Sequence, residues 1–126
     1  MERVTGLGGV FFKSKDPRAL TEWYRTHLGV PVEGDGSVVF RWREEADLQR
    51  VGWTVWSAFS QDTRYFEPSA APFMINYRVR DLDALLAALR SEGVEVDPKI
   101  EEGEYGRFAR IMDPEGNRIE LWEPPG

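Results

Sequence analysis

The stretch "INYRVRDLDALLAALRSEGVEV", residues 75 to 96, repeats the plan of "VFFKSKDPRALTEWYRTHLGVPV", residues 10 to 32. Aligning Asp16 with Asp81, an offset of 65, brings Leu20 onto Leu85. Dropping one residue before Gly29 then brings Gly29 onto Gly93 and Val30 onto Val94. Each copy has the same physical logic. A β-rich run ends at an Asp whose carboxylate suits the orphan N–H groups at a helix start. Pro17 stands at the first helical position of copy one, where its missing N–H costs nothing. Apolar residues follow at helical spacing: Leu20, Trp23, Tyr24 and Leu28 in copy one, Leu82, Leu85, Leu86 and Leu89 in copy two. Gly29 and Gly93 supply the left-handed stop, and a Val-rich strand is predicted to leave each helix. Both copies are therefore expected to be β-α-β.

Working outward, further strands are predicted at 37–43 ("SVVFRWR") and 50–59 ("RVGWTVWSAF") in the first half. The second half offers 105–112 ("YGRFARIM") and 117–123 ("NRIELWE"), joined by the turn "DPEG" at 113–116. Pro114 presets φ in that turn and Gly116 accepts a positive φ. Residues 60–72, with two prolines and few periodic apolar positions, have the character of a linker. The expected organisation is one α+β domain over 1–126: module one at about 4–60, a linker at about 61–72 and module two at about 73–123. Each module is βαβββ, and the helices cover one face of the sheet.

Bulk properties exclude several classes of function. Hydrophobic residues make up 41% and aromatics 13% of 126 residues, enough to form a core. A net charge of −6 argues against nucleic acid, which selects a basic surface to neutralise phosphates. The absence of cysteine excludes disulfides, thiolate nucleophiles and Cys-bound zinc. The opening "MERVTGLGGVFF" lacks a basic segment followed by a long apolar run, and no window approaches a membrane span. The expectation is a cytoplasmic protein with neither nucleic acid nor membrane as partner.

Two tandem βαβββ modules, with "WYRTHLGV" closing the first helix and "DPEGNRIELWEP" ending the chain, resemble the vicinal oxygen chelate superfamily. That superfamily includes glyoxalases, bleomycin-resistance proteins and extradiol dioxygenases. The resemblance implies that the modules curl around a cleft, commonly completed by homodimerisation. It also implies, for enzymatic members, a divalent metal on the cleft face. Its ligands are typically a His about seven residues before each helix-capping Asp and a Glu on each last strand. Histidine nitrogen and carboxylate oxygen suit Zn, Ni, Fe or Mn, and three or four such groups must converge.

Counting back seven from Asp16 gives Gly9, and from Asp81 gives Met74. Glycine offers no donor, and a thioether is a poor ligand for hard divalent ions. At an offset of 64 the module-one counterpart of Glu120 falls on Trp56, with Val55, Ser57 and Ala58 beside it. Only Glu120 matches the implied ligand set. The single histidine, His27, lies in the last helical turn, where the macrodipole favours it. No metal ligand and no cofactor is therefore expected. An atypical carboxylate site recruiting Glu102 or Glu104 is the alternative, and it would bind ions weakly.

Without a metal, Glu120 has three readings: a cross-strand partner for Arg107 or Arg110, an anchor for a ligand group, or a catalytic base raised by aromatic surroundings. Strand alternation places Ile119 and Leu121 on one face, and Arg118, Glu120 and Trp122 on the other. The chain is rich in rings, including Trp53, Trp56, Phe59, Tyr65, Phe66 and Phe73. An aromatic pocket with one or two placed polar groups holds flat or amphipathic small molecules. The expected lining is Trp56, Met74, Tyr77, Tyr105, Arg107, Glu120 and Trp122. Asn76 is expected to bond backbone or to present its amide to a ligand. The leading expectation is a metal-independent small-molecule binder like the bleomycin-resistance branch. A lyase, isomerase or dioxygenase-like enzyme with an atypical metal site is the alternative.

Overall fold

The structure is a computed structural model that describes residues 3–126; residues 1 and 2 of the expected domain span lie outside it. Strand β1 (Val4–Ser14) leads to Asp16, whose Oδ1 accepts from Ala19 N at 3.1 Å and starts α1 (Pro17–Leu28). Gly29, at φ 68°, ends that helix in the left-handed conformation that glycine adopts without strain. Strands β2 (Val38–Arg43) and β3 (Val51–Ser60) complete module one. Module two begins with β4 (Phe73–Val79), after which Asp81 caps α2 (Leu82–Ser91) through the same bond, Ala84 N to Oδ1 at 3.1 Å. Strands β5 (Glu101–Gly103), β6 (Gly106–Met112) and β7 (Arg118–Glu123) follow.

All the strands share one curled, mixed sheet in the order β2-β3-β1-β4-β7-β6-β5. The modules' first strands, β1 and β4, meet antiparallel at its centre. Each first strand then pairs in parallel with the last strand of its own module, β1 with β3 and β4 with β7. The repeat in sequence is thus an approximate twofold in space. None of the helices among the described residues is long and apolar enough to cross a membrane.

Three expectations change. The Val-rich segments after the helices do not form strands; each makes one bridge, Val32 to Val38 and Val96 to Ile111. Pro31 and Pro98 flank those bridges and lack the N–H that would extend a ladder. Residues 101–103, outside the predicted strands, pair with β6. The segment 61–72 is also more than a linker, because Phe66 is fully buried and Ser69 is 7% exposed.

The core divides by sheet face. Leu82, Leu85 and Leu86 of α2 pack on Val79, Ala109 and Leu121. At about 1.5–3 kcal/mol for each fully buried leucine, this face dominates the stability of module two. A second cluster joins Phe11, Phe66 and Met74, with Val55, Phe59 and Tyr65 against it. Helix α1 buries no residue completely; Tyr24 meets Trp56 at 5.0 Å between ring centroids, while Trp23 and Leu28 face solvent.

Candidate functional site

The sheet curls around a cleft of about 620 Å³. Its module-one wall carries Val39 and Arg41 of β2 with Trp53 and Val55 of β3; its module-two wall carries Phe108 and Trp122. Gly8, Phe11 and Asn76 line it from the central strands, and the loop at 33–37 closes one side. The register explains the walls. Arg41 lies opposite Trp53, with its guanidinium 5.8 Å from that ring. Phe108 lies opposite Trp122, and their rings stack with centroids 5.9 Å apart. Trp122 Nε1 donates to the Tyr105 carbonyl at 2.7 Å, which fixes the indole plane against the cleft.

Beside this apolar space sits a buried polar cluster. β4 and β7 place Asn76 opposite Glu120, and β6 brings Arg110 opposite Glu120 from the other side. Asn76 Nδ2 donates to Glu120 Oε1 at 2.7 Å, and the Tyr65 hydroxyl donates to Oε2. Arg110 Nη1 lies 3.6 Å from Oε2, while its Nη2 holds Glu101 at 3.0 Å. Glu120, Asn76 and Arg110 are each at most 2% exposed. Burial pushes the Glu120 carboxyl above the usual range, against the opposing pull of Tyr65, Asn76 and Arg110. Burial, then the Glu120 charge, pushes the Tyr65 hydroxyl up as well. Asn76 Oδ1 has no partner, and Gly8 passes so near that a Cβ there would stand 2.1 Å from it.

The expected site residues separate by face. Trp122 and Tyr105 line the cleft, and Tyr105 is largely exposed at its rim. Glu120 points to the same side but spends its oxygens on protein groups. Met74 is fully buried between Phe11 and Phe66, so it packs behind the cleft wall rather than forming it. Three residues are on the wrong face for a ligand. Tyr77 packs on the α2-side core because its neighbour Asn76 faces the cleft. Trp56 meets Phe12 and Tyr24 beneath α1, since Val55 takes the cleft side. Arg107 turns to α2, holding Asp83 at 2.9 Å and Glu102 at 2.9 Å, while Phe108 takes the cleft side. Phe108, Val39 and Arg41 escaped sequence reasoning. Alternation from Arg110, once paired with Glu120, would have found Phe108.

The register also corrects the counterpart of Glu120. With Phe11 equivalent to Asn76 at the offset of 65, the parallel ladders pair Phe11 with Ser57 and Asn76 with Glu120. The counterpart is Ser57, not Trp56. The superfamily's ligand positions are thus Gly9, Ser57, Met74 and Glu120. A side chain at Gly9 would begin 2.8 Å from the Phe11 ring, and Met74 is sealed among aromatics. Among the described residues no three His, Cys, Asp or Glu side chains converge in a metal-binding group. His27 lies beside Trp23 on exposed α1, with ring centroids 4.9 Å apart. This donor set does not fit a divalent ion.

Paired modules around a cleft define a vicinal oxygen chelate fold, and comparison with known proteins agrees. The family model of the glyoxalase-like domain matches residues 9–122, so the chain belongs to the glyoxalase-like domain family. Methylmalonyl-CoA epimerase from Mycobacterium tuberculosis is 27% identical, with 98% of this chain and 90% of that one covered and a TM-score of 0.63. A variant of the Streptomyces coelicolor methylmalonyl-CoA epimerase, in complex with 2-nitronate-propionyl-CoA, is 19% identical. It covers 98% of this chain and 100% of its own, with a TM-score of 0.70. A catechol 2,3-dioxygenase is 22% identical with a TM-score of 0.64; the match covers 99% of this chain but 41% of that one. At 19% and 22% identity these last two establish the fold and nothing finer. No curated protein sequence matches the chain.

Proposed function

We propose that this glyoxalase-like protein binds a small, flat or amphipathic molecule in its aromatic cleft, without a metal. The observation that carries this reading is the division of labour across the sheet. Trp53, Phe108 and Trp122 offer ring surface to the cleft, while the one matching acid, Glu120, is consumed by Tyr65, Asn76 and Arg110. Rings around an apolar space bind flat molecules through area and stacking. Chemistry at Glu120 would require its carboxylate to reach the ligand, yet Asn76 is the member of the pair that lines the cleft. Glu120 therefore acts as a positioning residue that holds the Asn76 amide. Trp23 and Leu28, exposed on α1, support a homodimer, whose mass light scattering would measure.

N-phenyl-1-naphthylamine, which brightens in apolar surroundings, tests the cleft. The expected result is saturable binding at one site, with affinity weakened by about tenfold in Trp53→Ala as one stacking wall is lost. Non-saturable brightening, or equal affinity in the variant, overturns the proposal.

A further inference from the structure

Arg78 follows Asn76 by two residues on β4 and stands apart from the other half-buried arginines. Its guanidinium carbon lies 5.6 Å from the Trp42 ring and 5.3 Å from the Trp122 ring. Both faces of that geometry hold the planar group in place. Trp42 is fixed in turn: its Nε1 donates to Thr54 Oγ1 at 2.7 Å, and its ring fills the space above Gly6 and Gly52. Thr5 Oγ1 donates to the Arg78 carbonyl at 3.2 Å and anchors the strand there. Arg78 Nε is buried without a hydrogen-bond partner, as are those of Arg107, Arg110 and Arg118. Among the described residues no carboxylate comes within ion-pairing reach of this side chain, whereas Arg107, Arg110 and Arg118 each hold one.

The surroundings of Arg78 form a notch of about 170 Å³, lined by Thr5, Glu44, Arg50, Arg80 and Glu123. Its acids are already engaged. Glu44, 6% exposed, gives one oxygen to Arg50 Nε at 3.3 Å and the other to Arg80 Nη2 at 3.0 Å. Glu123 Oε1 accepts from Leu82 N at the start of α2, 2.8 Å away. Arg50 and Arg80 thus share Glu44, which leaves Arg78 as the guanidinium of the notch without an ion-pair partner among the described residues. Burial holds the Arg78 guanidinium below its usual pKa; the Glu44 charge opposes that, and the Arg50 charge adds to it. A charged group taken from water without a counter-charge is costly, and a bound anion removes that cost.

We propose that this notch is an anion site, taking one phosphate or carboxylate group on Arg78 with Arg50 beside it. The planar fork of Arg78 matches two oxygens of such a group, and its clamp of tryptophans means that little side-chain entropy is lost on binding. The notch has room for a single oxyanion head group. It lies outside the residues that line the aromatic cleft, although Trp122 borders both.

Calorimetric titration of the whole chain with sodium phosphate and with sodium acetate, each against sodium chloride at equal ionic strength, tests this. One of the two oxyanions is expected to bind saturably where chloride does not. Phosphate binding alone identifies a phosphate site, and acetate binding with the same variant dependence identifies a carboxylate site. Arg78→Met is expected to weaken binding by at least tenfold, and Arg50→Gln by about threefold, as charge-assisted bonds are removed. Arg50 sits at the surface end of the notch, so Arg50→Gln keeps the Trp42–Arg78–Trp122 stack and decides the matter even if Arg78→Met unfolds. No saturable heat beyond chloride, or wild-type affinity in the folded variants, overturns the site. N-phenyl-1-naphthylamine affinity should be unchanged in Arg50→Gln, which separates failure here from failure of the cleft reading.

Discussion

Helices α1 and α2 start alike, each on an Asp that accepts from the N–H three residues on, yet they end up in different surroundings. α2 buries Leu82, Leu85 and Leu86 under the sheet, whereas α1 lays Tyr24 on Trp56 and leaves Trp23 and Leu28 in solvent. The central strands divergence is of the same kind. Module one places Phe11 opposite Ser57, where module two places Asn76 opposite Glu120. One repeated topology therefore carries a locked polar cluster at the centre of module two and none at the matching place in module one, while both modules supply rings to the cleft. The lesson is that duplication preserves backbone and caps, while the side chains on each face are free to take separate work.

The sharpest way to break this comparison is to truncate equivalent helix positions. Leu85→Ala is expected to cost about 4 kcal/mol in urea denaturation, because a sealed site cannot collapse around the cavity. Leu20→Ala, on half-exposed α1, is expected to cost about 1 kcal/mol, as part of its area is already in water. Equal losses would mean that α1 is as deeply packed in solution as α2, through a second copy of the chain.

Next in size is the polar cluster. Glu120→Ala strands Asn76 Nδ2, the Tyr65 hydroxyl and one side of Arg110, and is expected to cost about 3 kcal/mol. Arg110 keeps Glu101, which limits the loss. Ser57→Ala, the counterpart change, is expected to stay within about 0.5 kcal/mol by the same denaturation. A Ser57 cost approaching that of Glu120 would show that the two halves share the burden after all.

The smallest effect is the pH dependence contributed by the buried acid of module two. Folding raises the Glu120 pKa, so the native chain holds that proton more tightly than the unfolded chain does. Its contribution is therefore fully present below the ordinary glutamate range and is lost as pH rises through the native value. Denaturation midpoints of the wild type, taken relative to those of Glu120→Gln, should fall with rising pH across that window. The Glu120→Gln variant should show a flatter profile, and an identical slope in both would remove Glu120 as the source.

Much of this architecture is legible in the chain because it is local. The Asp caps, Pro17, the helical leucines and Gly29 act within a few residues of where they stand. The "DPEG" turn closes on itself in the same way: Asp113 Oδ1 accepts from Glu115 N at 2.9 Å and Asn117 N at 2.8 Å. Gly116 takes its positive φ of 81° there, and the alternation of Ile119 and Leu121 against Glu120 and Trp122 follows directly. Gly9 and Met74 as non-ligands are equally plain from residue type. Alternation misled only where its phase was unknown. Trp56, Tyr77 and Arg107 are one residue from cleft-facing neighbours, and a single step along a strand reverses the face.

The amino-acid order by itself thus determined the duplication, the helix boundaries, most of the strand runs and the residue types at the superfamily's ligand positions, all through short-range chemistry. Only the tertiary structure decided which rings share the cleft, that Ser57 answers Glu120, and that Tyr65 crosses from the connecting segment to meet a carboxyl 55 positions away. It also decided that Arg78 stands between Trp42 and Trp122 without a carboxylate. Those pairings depend on strand register and on the bulges in β1, between Val4 and Gly6 and between Leu7 and Gly9. A bulge shifts every later pairing on its strand, and it is settled by packing across the whole sheet rather than by neighbouring residues.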